Sequence, residues 1–180
     1  ISTYSLMVED NTLLKINNFN RVDEDTDALM YQTICKILKK KQFEHYEVSN
    51  FSLKGKESIH NLRYWKNQEY YGFGLSASGY IDKIRYTNTK SLTKYLNGEY
   101  SGEKEILTSQ DVMDNHLMLG FRLTKGINIE EFEKIYQVKI DSVYPIKPLL
   151  KNGDLITKKG NIFINPDKLY VMNEILIKMI

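Results

Sequence analysis

The chain has 180 residues, 42% apolar and 27% charged, enough to bury a substantial core in one or two domains. Its 25 basic and 23 acidic residues are too evenly balanced to argue, by themselves, for nucleic acid or an anionic membrane as partner. A single cysteine, Cys35, excludes an internal disulfide framework and any site built on clustered thiolates; with no secretory leader pattern and no apolar run of roughly 18 residues, we expect a cytoplasmic protein.

Ile1 to Met7 is a β-rich run without an initiator methionine, expected to be a piece of a longer protein that begins inside a strand. From Asp23 to Gln42, Met30, Ile34, Ile37 and Leu38 recur at helical spacing, with acids first and Lys39-Lys40-Lys41 last, as the helix dipole favours. The lysine run reads as a solvated helix end, with a nucleic-acid patch the weaker alternative, and Cys35 inside the helix reads as a small buried residue. His45 to Leu53, rich in Tyr, Val and Phe, predicts a strand before a Lys54-Gly55-Lys56 turn. Tyr70 to Ile81 predicts a second strand, and Ile84 to Thr87 pairs with Tyr80-Ile81 across Asp82-Lys83. A short helix over Ser91 to Leu96 and a loop over Gly98 to Gly102 follow.

From Thr108 the texture becomes helical. Thr108 with Asp111, and Asn128 with Glu131, have the spacing of helix caps. A third short helix near Tyr144 to Leu150 stops at Asn152-Gly153, Leu155 to Thr157 and Asn161 to Ile164 form a hairpin, and Pro166 opens a helix with Leu169, Met172, Ile175, Leu176 and Met179 on one stripe. Helices, a two-stranded wing and a closing helix predict a winged-helix-like module over 108–180.

Two stretches could carry chemistry. Gly72, Gly74 and Gly79 have the spacing G-x-G-x-x-x-x-G; glycines let a backbone approach a phosphate or cofactor, but they also mark a bulge packed on a neighbouring strand, and both readings stand. His60 precedes Tyr64 and the only tryptophan, Trp65. It is either a histidine satisfied by hydrogen bonds beside an aromatic pair, or an axial ligand, because neutral imidazole binds haem iron and aromatic rings limit water around it. His45 and His116 lack such company, and His116 reads as a core-edge residue.

Taken together, His45-Tyr46-Glu47-Val48-Ser49-Asn50-Phe51, His60-Asn61-Leu62-Arg63-Tyr64-Trp65 and Tyr71-Gly72-Phe73-Gly74 through Ser78-Gly79-Tyr80 resemble the C-terminal half of the oxygen-independent coproporphyrinogen III oxidase family of radical S-adenosylmethionine (SAM) proteins. Within it, H-N-x-x-Y-W is similar to the motif of the haem-chaperone branch. The resemblance implies an α+β chain: over 1–107 the last strand or strands and helix of a partial (β/α) barrel, over 108–180 the winged-helix-like helical domain. It implies a fragment of a chaperone that binds haem and passes it to an acceptor protein, with His60 as iron ligand, Tyr64 and Trp65 as pocket aromatics and Asn61 as orienting group. Met7, Gly72, Gly74 and Ser78 would lie on the SAM side. A peripheral membrane contact is a further candidate. The family's C-x3-C-x2-C cluster motif is absent here, so SAM and [4Fe–4S] chemistry belongs to a full-length parent and no catalytic residue is assigned. Ala77-Ser78 stands where the family often has Ala-His. A true oxidase is the alternative parent. A nucleic-acid-binding winged helix is the third reading, though the candidate recognition helix offers only Lys147, with Lys151 beyond it, and no arginine.

Overall fold

The computed structural model describes residues 1–179. Thr12 caps a short α1 (Leu13–Ile16), and the Asp23 carboxylate caps α2 (Glu24–Lys40) by accepting the Thr26 N–H at 2.8 Å. The expected α2 stripe is only half covered: Ile34 and Leu38 are half-buried, whereas Met30 and Ile37 remain exposed. Next come β1 (Glu44–Glu47) and β2 (Asn50–Ser52), paired antiparallel, then α3 (Ile59–Trp65). β3 (Ser78–Ile81) and β4 (Ile84–Asn88) form the expected hairpin, with α4 (Leu92–Leu96) following. β5 (Ser101–Ile106) completes a sheet of order β3-β4-β5.

α5 (Ser109–Gly120) starts with a complete capping box between Thr108 and Asp111. β6 (Ile127–Asn128) leads into α6 (Ile129–Tyr136), where the Asn128 side chain accepts the Glu131 N–H at 2.8 Å. α7 (Ile140–Val143) and α8 (Ile146–Lys151) precede β7 (Leu155–Lys158) and β8 (Asn161–Ile164), which form a sheet of order β6-β8-β7. The last stripe is split between a 3-10 turn, Pro166–Val171, and α9 (Met172–Ile177). All five of its expected residues are buried in one core that also takes Met113, Leu117, Phe121, Phe132, Ile146, Leu155 and Ile162. Among the described residues no helix is long and apolar enough to cross a membrane.

Four expectations need correction. Ile1 to Met7 pairs only at its start: Phe51 N–H donates to Ile1 O at 2.9 Å and Thr3 N–H to Ser49 O at 2.8 Å. A three-residue β2 cannot hydrogen-bond a longer partner, and residues 4–7 have irregular conformation. His45 to Leu53 is not one strand but the β1–β2 hairpin, because the buried Glu47 carboxylate closes a turn by accepting the Asn50 side-chain amide and, at 3.2 Å, the Ser49 N–H. Tyr70 to Ile81 is largely a loop, in which Tyr70 bridges Tyr80 and Gly74 and Ser76 turn the chain at positive φ before β3 begins. β5 takes in the end of the expected Gly98–Gly102 loop and runs on through 103–106, where no element was expected: its Ser-Gly-Glu-Lys-Glu-Ile sequence lacks apolar alternation, its residues are all exposed, and it pairs with β4.

The β1–β2 hairpin is stitched to the segment after α5. Val48 N–H donates to Arg122 O at 3.0 Å, Thr124 N–H to Tyr46 O at 3.2 Å, and Thr124 Oγ1 to His45 O at 2.7 Å. These bonds fix β1 against the C-terminal core and, with it, the neighbourhood of α3.

Candidate functional site

α3 is a single short helix whose first turn is closed by Ser58, the hydroxyl of which accepts the Asn61 N–H at 3.3 Å. Four-residue spacing sorts its motif into two stripes: His60 with Tyr64, and Asn61 with Trp65. The two stripes have different surroundings.

His60 is exposed and stands edge-on to Tyr64, with ring centroids 4.7 Å apart at 88°. Tyr64 is in turn edge-on to Tyr70 at 4.5 Å and 84°. Tyr70 is tied to Tyr80 by reciprocal backbone bonds of 2.9 Å, so the row of three rings is anchored to the β3–β4 hairpin. Among the described residues neither imidazole nitrogen of His60 has a hydrogen-bond partner. The reading of His60 as a histidine already satisfied by hydrogen bonds therefore has no support in its contacts. An exposed imidazole fixed at one edge by an aromatic ring can present a nitrogen lone pair outward. Tyr70 was not singled out from the sequence; it lies six residues beyond Tyr64, and only the turn after α3 brings it into the row.

Trp65 faces the other way. The Arg122 guanidinium carbon lies 5.3 Å from its ring centroid, a cation–π approach, and its indole N–H is buried without a partner. It lines a 720 Å³ cleft with His116, Tyr136 and Lys125, while Asn61 lines a separate hollow beside Ser2 and Asn50. The structure thus brings His60 and Tyr64 together and sets Asn61 and Trp65 on the inward side.

The two remaining histidines are engaged. His45 lies flat on Phe51, at 4.2 Å and 12°, with Nε2 3.2 Å from Val48 O. His116 Nδ1 is 3.1 Å from the Tyr136 hydroxyl, as suits the core-edge position expected of it. Burial holds both imidazoles below their usual pKa, and burial likewise pushes the Tyr136 hydroxyl up to about 12.

The glycine run is a tight loop clamped by β4. Gly72 N–H donates to the Tyr86 hydroxyl at 3.0 Å, and the Asn88 amide donates to Gly72 O at 3.2 Å and Gly74 O at 2.8 Å. A Cβ on Gly72 would sit 2.5 Å from the Ser78 carbonyl carbon, so this glycine is required by close packing of backbone on backbone. Ser78 Oγ is 2.9 Å from Thr87 Oγ1. Phe73 at the loop tip is 86% exposed, as is Met7 at 70%, and among the described residues no hydrogen bond joins Met7 to the loop. Among the described residues no group of three or more His, Cys, Asp or Glu side chains could hold a metal ion, and the sequence has a single cysteine where an iron–sulfur cluster needs several.

No protein-family model matches the chain. It is 39% identical over 152 residues to the haem chaperone HemW of Lactococcus lactis, a match covering 80% of this chain and 40% of that protein. It is 28% identical over 185 residues to the haem chaperone HemW of Bacillus subtilis, covering 97% of this chain and 49% of that one. The chain thus spans less than half the length of these curated relatives. The solved coproporphyrinogen III oxidase HemN of Escherichia coli, described as a radical SAM enzyme, superposes with a TM-score of 0.68 over 87% of this chain and 41% of its own, at 13% identity, which shows a shared fold. The resemblance read from the sequence is borne out: the chain is similar to the haem-chaperone branch and has a mixed α/β, HemN-like fold.

Proposed function

We propose that this chain is the haem-binding C-terminal part of a radical SAM haem chaperone, which holds haem through His60 and releases it to an acceptor protein. The observation that carries the reading is the unpartnered His60 imidazole at the end of the His60–Tyr64–Tyr70 row. A neutral imidazole is a good axial ligand for haem iron. Tyr64, edge-on to the ring, restricts its rotation and gives the macrocycle an apolar neighbour. Exposure suits a carrier: a cargo held at the surface by one protein ligand can be passed on without unfolding a pocket around it. Trp65 and Asn61 support the helix from behind, Trp65 through Arg122 and Asn61 at the first turn.

In this reading residues 1–107 belong to the end of a partial (β/α) barrel and 108–180 to a winged-helix-like domain, the helices and β6-β8-β7 sheet of the latter supporting the comparison. Met7, Gly72, Gly74 and Ser78 stand as candidate SAM contacts of the parent. The Gly72 and Gly74 carbonyls are already engaged by Asn88, which leaves main-chain shape as the feature they offer. No step involving the cluster is assigned to this chain, whose residues do not fit one. The oxidase reading has only the fold shared with HemN at 13% identity, whereas the relatives named haem chaperone favour the first reading over it and over the nucleic-acid one.

Absorbance titration with haem tests the assignment, using the 180-residue chain, His60→Ala and His45→Ala. We expect a saturable imidazole-ligated haem signature whose apparent affinity weakens at least about tenfold, or roughly 1.4 kcal/mol, in His60→Ala alone. Loss confined to His45→Ala would move the iron ligand to β1, and equal binding by all three would return His60 to a structural role.

A further inference from the structure

A large cavity lies away from α3. It is a groove of about 1060 Å³ between α2, the β1–β2 hairpin and the Pro166–Val171 turn. It is lined by the flat stack of His45 on Phe51 and by Tyr31 and Tyr170, whose rings are 5.7 Å apart. The α2 wall exposes Lys36 and Lys39, and among the described residues neither is in an ion pair. Between them and Tyr31, Cys35 contributes a protonated thiol, since burial pushes its pKa up. Two carboxylates also reach the groove, Glu44 at the start of β1 and Asp167 in the 3-10 turn, so positive charge is confined to the α2 side.

The distribution is asymmetric, with an aromatic platform, two unpaired ammonium groups along one wall and acids elsewhere. It matches a ligand of the same asymmetry, a flat apolar body with anionic groups on one edge. A volume at the upper end of the usual small-molecule range leaves room for a macrocycle. Neutral His45 can act as a stacking surface without desolvating a charge.

We propose that this groove is a second binding site, separate from α3, for flat aromatic molecules carrying carboxylates along one edge, with those carboxylates on Lys36 and Lys39 and the ring on the His45–Phe51 stack. That its ligand is a porphyrin rests on the haem-chaperone reading; the chemistry of the groove by itself asks only for a planar aromatic carboxylate. No iron ligand is required, so the site holds the macrocycle independently of His60.

The test is a fluorescence titration of the full chain with metal-free protoporphyrin, which cannot use an axial ligand. The expected result is saturable binding, unchanged in His60→Ala, and at least about tenfold weaker both in the double variant Lys36→Glu/Lys39→Glu and when the propionates are blocked as methyl esters. Circular dichroism of the double variant, whose two positions are exposed, verifies that it folds. Equal affinity of the double variant and the parent chain would overturn the proposal. Displacement of the porphyrin by an equal concentration of oleate would also overturn it, by showing a site for acyl carboxylates with no preference for a ring. Loss of haem affinity in His60→Ala with metal-free binding intact supports both sites, whereas loss of metal-free binding in His60→Ala would merge them into one.

Discussion

Replacing Gly72 by alanine tests whether the glycine run is a packing device. The new Cβ would lie 2.5 Å from the Ser78 carbonyl carbon and 3.0 Å from its nitrogen, against an ordinary carbon contact of about 3.5–4.0 Å. The loop must therefore open by about 1 Å, and both atoms it presses on are backbone. Opening is resisted at both ends, because Gly72 N–H is bonded to Tyr86 and Gly72 O to Asn88. Overpacking of this kind costs about 1–3 kcal/mol, and loss of one of these hydrogen bonds about 1 kcal/mol more. For a chain of this length a 2 kcal/mol loss lowers Tm by roughly 4–8 °C. Urea unfolding followed by fluorescence of the single tryptophan, Trp65, measures the loss. Gly55, with φ +73° and nothing within 4 Å of its would-be Cβ, supplies the comparison: alanine there carries only the left-handed strain of about 1–2 kcal/mol. A Gly72→Ala protein within about 0.5 kcal/mol of the parent chain would refute the packing argument and return the glycines to a ligand-binding reading.

Leu117, fully buried at 0% exposure at the centre of the core, should lose about 2–5 kcal/mol on Leu117→Ala, measured as a lower urea midpoint at constant slope. Thr108→Ala removes the N-cap hydroxyl of α5 and should cost about 1 kcal/mol, with the larger effect on helix content by circular dichroism. His45 and His116 are held neutral by burial in the folded chain, so below the ordinary histidine value of 6.5 the unfolded chain binds protons that the folded one does not. Stability should therefore fall as pH drops from 7 toward 5, and His116→Gln should flatten that fall in urea titrations across the range; an unchanged slope would deny His116 its part.

Much of the helical framework was legible, because its signals are local. Thr108 with Asp111, Asn128 before α6, and the stripe from Leu169 to Met179 each declare themselves within a few residues, and each is realised. The errors lie where distant partners decide. β5 exists because β4 offers an edge, and the β1–β2 turn exists because Glu47 is buried under Asn50 and Ser49; neither shows in β-propensity. The motif on α3 was legible as a motif, but its division into an outward His60–Tyr64 stripe and an inward Asn61–Trp65 stripe follows from helix periodicity and packing together. Tyr70 and Arg122 complete those two sides from elsewhere in the chain, so no spacing rule around His60 points to them. The groove beneath α2 was missed for the same reason: its lysines, its histidine and Tyr170 come from three separated segments.

The most direct test of the central claim exchanges the ligand atom. In a Cys35→Ser background, His60→Cys would replace the imidazole by a thiol at the same point of α3, and the ferric haem complexes of the two proteins are compared by absorbance and electron paramagnetic resonance. The account predicts that the imidazole-type spectrum of the parent gives way to a thiolate-type spectrum in His60→Cys, at similar stoichiometry. Identical spectra from the two proteins would contradict it, because the iron would then be held by a residue other than His60.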